Sequence, residues 1–267
     1  MRISALLLAA CLAPAPVLAD SVPSAPFTAL DAKEHGSVVQ VKVTYPAGTE
    51  TVQGWLFLPA GQEAGPALIF CHPGFGVDDR VAGRCRDLAE AGYTVLAPEY
   101  RIQQAPRFTV TPGEVERILA GDALLRRHTR VNPHQVGIVG SSHGSLLALL
   151  AVADTERNHF RAAVHACGDR SAQNRAADIK CPVLVQVGKR DQEVDYQEGR
   201  FMAIDLRTAG NSGVTIKEYT LAGHDFWFWT DPATFTIDEI AQGQWAWEDM
   251  LDFVGRYLTT GAPSAAR

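Results

Sequence analysis

The chain has no excess of basic residues, no interior hydrophobic run long enough to span a bilayer, and only five cysteines among 267 residues. Each absence excludes something. Lysine and arginine number 24 against 30 acidic side chains, for a net charge of −6, so the basic face that a nucleic-acid binder needs is missing. The same acidic balance discourages docking on anionic lipid. Beyond the N-terminus no stretch of about eighteen apolar residues occurs, which leaves no interior membrane span. There is no C-x-x-C pair and no His/Cys clustering at ligand spacing, so a metal site such as zinc is not expected. No internal repeat and no low-complexity linker divides the chain. What is present is a hydrophobic fraction of 46%, ordinary for a folded domain and too high for a disordered one. A chain of this length buries roughly 70–75% of its unfolded surface and needs no covalent staples.

The N-terminus has its own pattern. Met1-Arg2 is a minimal basic start, Ile3 to Ala13 is mostly apolar, and Val17-Leu18-Ala19 precedes Asp20. That order reads as a signal peptide over residues 1–19 and predicts export to the periplasm or the exterior. Pro14 and Pro16 would break a buried N-terminal helix. Leu8-Ala9-Ala10-Cys11 offers a second reading, a lipoprotein anchored through Cys11, for which the apolar stretch is short. Cys71, Cys85, Cys167 and Cys181 remain after cleavage, and their spacing selects none of the possible pairings. In a domain this size they are read as free, buried side chains.

Hydrophobic periodicity gives a leading hairpin followed by repeated βα units. Val38–Tyr45 alternates and turns at Pro46-Ala47-Gly48 into Thr51–Leu58. Ala67–Cys71, Thr94–Ala97, Gln135–Val139, Arg161–Cys167, Pro182–Val187 and Val214–Tyr219 are short runs read as strands. Helices are expected over Val81–Ala91, Gly113–His128, Leu146–Ala153 and Val194–Arg207. A last helix should present Ile240, Trp247, Leu251 and Val254 on one face. The pattern predicts an α/β domain over residues 25–258, with a mostly parallel sheet, an antiparallel N-terminal edge, helices on both faces and no large cap domain. Residues 259–267 are read as a flexible tail.

The chemistry collects at the strand ends. Gln135–Val139 runs into Gly140-Ser141-Ser142-His143-Gly144 and then an apolar helix. This is G-x-S-x-G between strand and helix, the context of a nucleophile elbow, with Ser142 as nucleophile. An acid and a histidine follow in the required order. Asp191 lies just past the strand Pro182–Val187, and His224 just past Val214–Tyr219. Asp169 and Glu193 are rival acids. Asp225, next to His224, is expected to point away, and His72 to be structural. Cys71-His72-Pro73-Gly74-Phe75-Gly76-Val77 follows the first parallel strand, where a backbone N–H of Gly74 or Phe75 would serve as one oxyanion donor. The amide of His143 would be the other. Phe226-Trp227-Phe228-Trp229 after His224 suggests an aromatic wall, so Phe226, Trp227 and Phe75 are candidate substrate contacts, with Tyr100 and Phe108 behind them.

These residues resemble the α/β-hydrolase superfamily, and within it the dienelactone-hydrolase-like and prolyl-oligopeptidase-like serine hydrolases. The resemblance rests on His72-Pro73-Gly74-Phe75-Gly76, Gly140-Ser141-Ser142-His143-Gly144, Gly188-x-x-Asp191-x-x-Val194 and Gly223-His224, with Pro98-Glu99-Tyr100-Arg101 also matching. It implies a serine-dependent hydrolase of small-molecule carboxylic esters that works without a cofactor. Two departures stand out. Dienelactone hydrolases carry a cysteine where this chain has Ser142, and a glutamate where it has Pro73, so lactone specificity does not carry over. Prolyl oligopeptidases carry an N-terminal propeller that this chain lacks. A peptidase or amidase on the same residues, and a binding protein that keeps the fold without catalysis, are the alternatives. Oligomeric state is not legible.

Overall fold

The computed structural model describes residues 27–61, 63–100, 110–157 and 159–259. The signal peptide of residues 1–19, Cys11, Arg101, Phe108 and the tail from residue 260 onward lie outside the described residues.

Strand β1 (Thr28–His35) pairs antiparallel with β2 (Val38–Ala47), and β2 with β3 (Glu50–Leu58). Val39, Val41, Val43 and Tyr45 of β2 alternate inward, as their spacing requires. Gly36 and Gly48 take φ of 60° and 59° in the turns, a region that glycine enters at little cost. β1 was not expected from the sequence. It is a polar edge strand with mostly exposed side chains, so pairing with β2 rather than apolar alternation defines it.

The chain then alternates through β4 (Gly65–Cys71), α1 (Asp79–Glu90), β5 (Thr94–Pro98), α2 (Pro112–Leu125), β6 (Val131–Ser141), α3 (His143–Val152) and β7 (Ala163–Ala166). β8 (Val183–Gly188), α4 (Tyr196–Thr208), β9 (Val214–Tyr219) and α5 (Ile237–Leu258) complete it. The described strands form one sheet in the order β1-β2-β3-β5-β4-β6-β7-β8-β9. β3 meets β5 antiparallel, and all pairings from β5 through β4 to β9 are parallel. Helices α1 and α5 pack on one face, and α2, α3 and α4 on the other. Central strands such as β5 and β8 are buried on both faces, which is why they read as continuous apolar runs.

Several boundaries differ from the periodicity. α3 starts at His143, three residues before its first leucine, because the elbow leads straight into the helix. α5 buries Ala246, Trp247, Met250, Phe253 and Val254, while Ile240 and Leu251 are only half-buried. The buried stripe is rotated because α5 packs over the turn at Phe226–Phe228 as well as the sheet. No helix among the described residues is long and apolar enough to cross a membrane.

The topology fixes where a ligand can bind. From β4 the chain crosses through α1 to β5 on one side, and from β6 through α3 to β7 on the other. β4 and β6 are neighbours, with Cys71 opposite Gly140. Their C-terminal ends therefore diverge at a topological switch point, where open α/β sheets leave a crevice.

Candidate active site

Ser142 occupies that crevice, between the end of β6 and the start of α3. Its backbone has φ 53° and ψ −126°, a conformation that costs a non-glycine residue on the order of 1–3 kcal/mol. Neighbours hold it there. Ser142 N–H donates to Ala166 O at 2.8 Å, and Ser142 O accepts from Ser145 N and Oγ at 3.0 and 2.7 Å. The tightness of the turn explains Gly140, where a β-carbon would stand 2.4 Å from Gly144 O.

Two further loops converge on this serine. His224 Nε2 lies 2.8 Å from Ser142 Oγ, and His224 Nδ1 lies 2.8 Å from Asp191 Oδ2. With Nδ1 donating to the carboxylate, Nε2 is left to accept a hydrogen bond from Ser142 Oγ. Asp191 Oδ1 accepts from the amides of Glu193 and Val194, both at 2.9 Å, so the acid is held on both oxygens. Burial disfavours the charged imidazole, but the Asp191 hydrogen bond and the charges of Asp225, Asp191 and Glu193 outweigh it, and the His224 pKa is raised. The rival acid, Asp169, instead accepts from its own loop at Ser171 N, 2.9 Å away.

Asp225 does not point away. It adopts φ 52°, and its carboxylate accepts from Ser141 Oγ at 2.8 Å, with Oδ2 3.9 Å from His224 Nε2. Adjacency in sequence could not reveal this, because the left-handed backbone turns the side chain back toward the elbow. His72 is fully buried, donates from Nδ1 to Pro73 O at 2.6 Å and stacks on Tyr100 with ring centroids 4.1 Å apart. Its Nε2 stands 3.8 Å from Glu99 Oε2. Gly76 N–H closes a tight turn on Pro73 O at 3.2 Å, and Gly74 and Phe75 lie within that turn. His143 opens α3, and its Nε2 lies 3.2 Å from Glu114 Oε1 in a buried pair. Glu114 also accepts from Thr111 N at 2.8 Å, so it joins the start of α2 to the residue after Ser142. This pair was not anticipated from the sequence, although Thr111-Pro112-Gly113-Glu114 carries a capping-box signature.

A model of the Dienelactone hydrolase family matches residues 52–258. The chain belongs to the dienelactone hydrolase family. It is 25% identical over 220 residues to a Methylorubrum extorquens protein assigned as a carboxymethylenebutenolidase, covering 73% of this chain and 75% of that one. A Klebsiella pneumoniae structure assigned as a dienelactone hydrolase is 23% identical with a TM-score of 0.68, covering 83% of this chain and 100% of that one. A cold-adapted esterase from an Arctic intertidal metagenomic library is 15% identical with a TM-score of 0.67, covering 85% of this chain and 97% of that one. The architecture is that of the α/β-hydrolase fold, and the family is one of hydrolases.

Within this dienelactone hydrolase family member, the aromatic wall is not where the sequence suggested. Phe226 and Trp227 have 0% exposure and cannot touch a substrate in this conformation. Trp227 donates from Nε1 to Gln186 Oε1 at 2.8 Å and meets Trp247 edge to face. Gln186 is satisfied in turn by donating to Tyr219 Oη and Ala246 O at 2.9 and 2.7 Å. A buried amide thus captures the indole, and the aromatic run becomes core beneath α5. Phe75 stays 42% exposed, with the Arg80 guanidinium 4.2 Å from its ring centroid.

The open space lies on the other side of Ser142. A narrow cleft bounded by Ser142, His143, Leu146, Gly168, Asp169 and Val194 adjoins a larger cavity of about 530 Å³. Asp169 and Val194 belong to both, and Arg170, Glu193, Asp195 and Glu198 line the larger one. No group of His, Cys, Asp or Glu among the described residues is arranged to hold a metal ion. Cys71, Cys85, Cys167 and Cys181 are free, and burial raises the pKa of each thiol, that of Cys181 to about 12.

Proposed function

We propose that this protein is a serine hydrolase of carboxylic esters, with Ser142 as nucleophile, His224 as general base and Asp191 as the acid that orients it. The observation that carries the reading is the hydrogen-bonded row Asp191–His224–Ser142, with both contacts at 2.8 Å and the serine at φ 53°. As Ser142 Oγ attacks the ester carbonyl carbon, its proton passes to His224 Nε2. Asp191 keeps the imidazole in the required tautomer and stabilises the imidazolium. The carbonyl oxygen becomes an oxyanion, for which the amide of His143 and that of Gly74 or Phe75 are the donors. The intermediate collapses with the Nε2 proton going to the departing alkoxide, which leaves an acyl-serine and an alcohol. Water then repeats the sequence, giving up a proton to His224 and releasing the carboxylic acid with Ser142 restored.

The cavity of about 530 Å³, which meets the narrow cleft at Ser142 through Asp169 and Val194, falls in the range of small-molecule sites and supports a small ester as substrate. Export belongs to the same reading, and its support is the Met1–Ala19 pattern. The test of mechanism is labelling with a fluorophosphonate. The adduct should map to Ser142, and not to Ser141, whose hydroxyl is buried against Asp225. Ser142→Ala should lose labelling and ester turnover together. A Ser142→Ala protein that hydrolyses short esters at the wild-type rate would refute the mechanism.

A further inference from the structure

His224 stands between two carboxylates, of which the mechanism above uses one. Asp191 Oδ2 holds Nδ1 at 2.8 Å. Asp225 Oδ2 stands 3.9 Å from Nε2, the nitrogen that meets Ser142 Oγ at 2.8 Å. At 3.9 Å the contact is too long for a hydrogen bond, so Asp225 does not compete with Ser142 for that nitrogen. What reaches Nε2 from Asp225 is charge. The other oxygen, Oδ1, is tied by Ser141 Oγ at 2.8 Å, and Ser141 is the residue before the nucleophile on β6. One hydrogen bond therefore links the loop that carries the base to the strand that carries the nucleophile, independently of Asp191.

We infer that Asp225 is a positioning residue for His224: anchored by Ser141, it holds the histidine loop against the elbow and stabilises the imidazolium formed when Nε2 takes the serine proton. This rests on the assignment of His224 as the base. A capping role alone would not explain the arrangement. Phe228 N–H donates to the main-chain oxygen of Asp225, so the turn at Phe226–Phe228 leaves the carboxylate unused. Asp225 is also placed against its solvation preference: burial raises its pKa, the charges of Glu193 and Asp191 add to that, and His224 and the Ser141 hydrogen bond offset only part of it. The groups bearing on His224 are Asp191 and Glu193 from the loop after β8, and Asp225 from its own loop. Those bearing on Asp225 are His224, Ser141, Glu193 and Asp191. The Cys167 thiol at the end of β7 is coupled to Asp225 as well, but burial keeps it neutral.

Asp225→Asn in the full chain isolates the charge. Asparagine tolerates a positive φ and still accepts the Ser141 hydrogen bond, so backbone and anchor are retained. Two readouts are taken: the pH profile of kcat/KM on a short neutral ester, and the NMR titration of the His224 ring without substrate. Removing a charge about 4 Å from Nε2 in a partly wetted site should move both to lower pH by about one unit. Ser141→Ala removes the anchor and keeps the charge. It should lower kcat about five-fold, the worth of one hydrogen bond, with KM unchanged. An unmoved acid limb together with an unmoved His224 titration in Asp225→Asn would overturn the inference. So would wild-type kcat in Ser141→Ala, which also decides the matter if Asp225→Asn fails to fold. The ring titration needs no turnover. A shifted titration in a protein whose Ser142 resists labelling would therefore uphold the Asp225–His224 coupling while removing the hydrolase reading.

Discussion

A β-carbon on Gly144 would stand 2.2 Å from the carbonyl oxygen of Cys71, and 2.4 Å from that of His72. The first turn of α3 thus rests directly on the backbone that leaves β4. One side of this contact carries Ser142 and the amide of His143, and the other leads into the turn that holds Gly74 and Phe75. Their separation is set by a missing side chain. Because both obstacles are main-chain oxygens, Gly144→Ala cannot be absorbed by a rotamer change. It should destabilise the fold by about 1–3 kcal/mol, as overpacking does. In a domain this large that is a fall of about 2–4 °C in Tm per kcal/mol. Activity should fall further than stability, since displacing one oxyanion donor costs about 10²–10³ in kcat. Thermal melts and ester kinetics on the same preparation check this, and a variant with unchanged Tm and kcat contradicts it.

Asp191 and Asp169 give a second contrast. Asp191 touches His224 with one oxygen and two loop amides with the other. Asp191→Asn keeps an acceptor for the amides but no longer enforces the Nδ1–H tautomer. Its turnover should drop by about 10²–10⁴ with the fold retained. Asp169 is bonded to Ser171 N and lines the cavity, so Asp169→Asn should cost less than about tenfold and act mainly on KM. Equal losses, or a larger loss at Asp169, would remove Asp191 from its role.

Much of this was legible in the chain. β4, β6 and β8 are covered on both faces, so their apolar runs announce themselves. The turn at Ser142 was legible because its glycines, serine and flanking elements are contiguous, and the convergence of Asp191 and His224 on it because each lies in the loop past the C-terminal end of a parallel strand. Other features depend on partners distant in sequence. β1 carries no apolar alternation, because an edge strand with a solvated face is specified by its neighbour. Phe226 and Trp227 look like a pocket wall until Gln186, far away on β8, is seen to receive the indole N–H. The cavity is made where the loop after β7 meets the start of α4, a juxtaposition no local pattern encodes. Asp225 was misjudged because its direction hangs on one positive φ.

Export gives a prediction independent of the catalytic site. If the Met1–Ala19 pattern acts as a signal peptide, intact-mass analysis of protein from the native host should place the mature N-terminus at or near Asp20. A lipid-modified Cys11 would select the lipoprotein route instead. A protein retaining Met1 would remove export altogether.

The pH dependence follows from the direction of the His224 shift. Burial lowers its pKa, but the Asp191 hydrogen bond and the surrounding carboxylates raise it by more, so it lies above the ordinary 6.5. Only neutral imidazole accepts the serine proton, so kcat/KM should rise along one acid limb centred above 6.5. Stability runs the other way. A histidine whose pKa is raised by folding stabilises the fold fully below its unfolded value, and that increment is lost as pH rises through the folded pKa. The enzyme should therefore gain activity over the window in which it loses this contribution. Ester kinetics and urea midpoints measured at the same pH values test both halves, and a limb centred below 6.5 would contradict the first.

On the proposed ester-hydrolase reading, the cavity that adjoins the cleft at Ser142 predicts which esters are favoured. The carboxylates of Asp169, Glu193, Asp195 and Glu198 line it. The guanidinium of Arg170 is on the same wall, but Asp205 holds it with contacts of 2.5 and 2.7 Å, which offsets its charge. A substrate group in this space meets a negative potential. Among esters matched in size, kcat/KM should fall in the order cationic, neutral, anionic. Each step should be about five- to tenfold at low salt, the effect of about 1 kcal/mol from charges several ångströms away in a wetted cleft. Raising the ionic strength toward about 1 M, where the screening length falls to about 3 Å, should compress the series. Glu198→Gln is the cleaner of the possible variants. Glu193 acts on His224 as well, whereas Glu198 is not among the groups that bear on it. It should narrow the preference without moving the acid limb. A preference for the anionic ester would contradict the negative potential of this cavity and place the charged end of the substrate elsewhere.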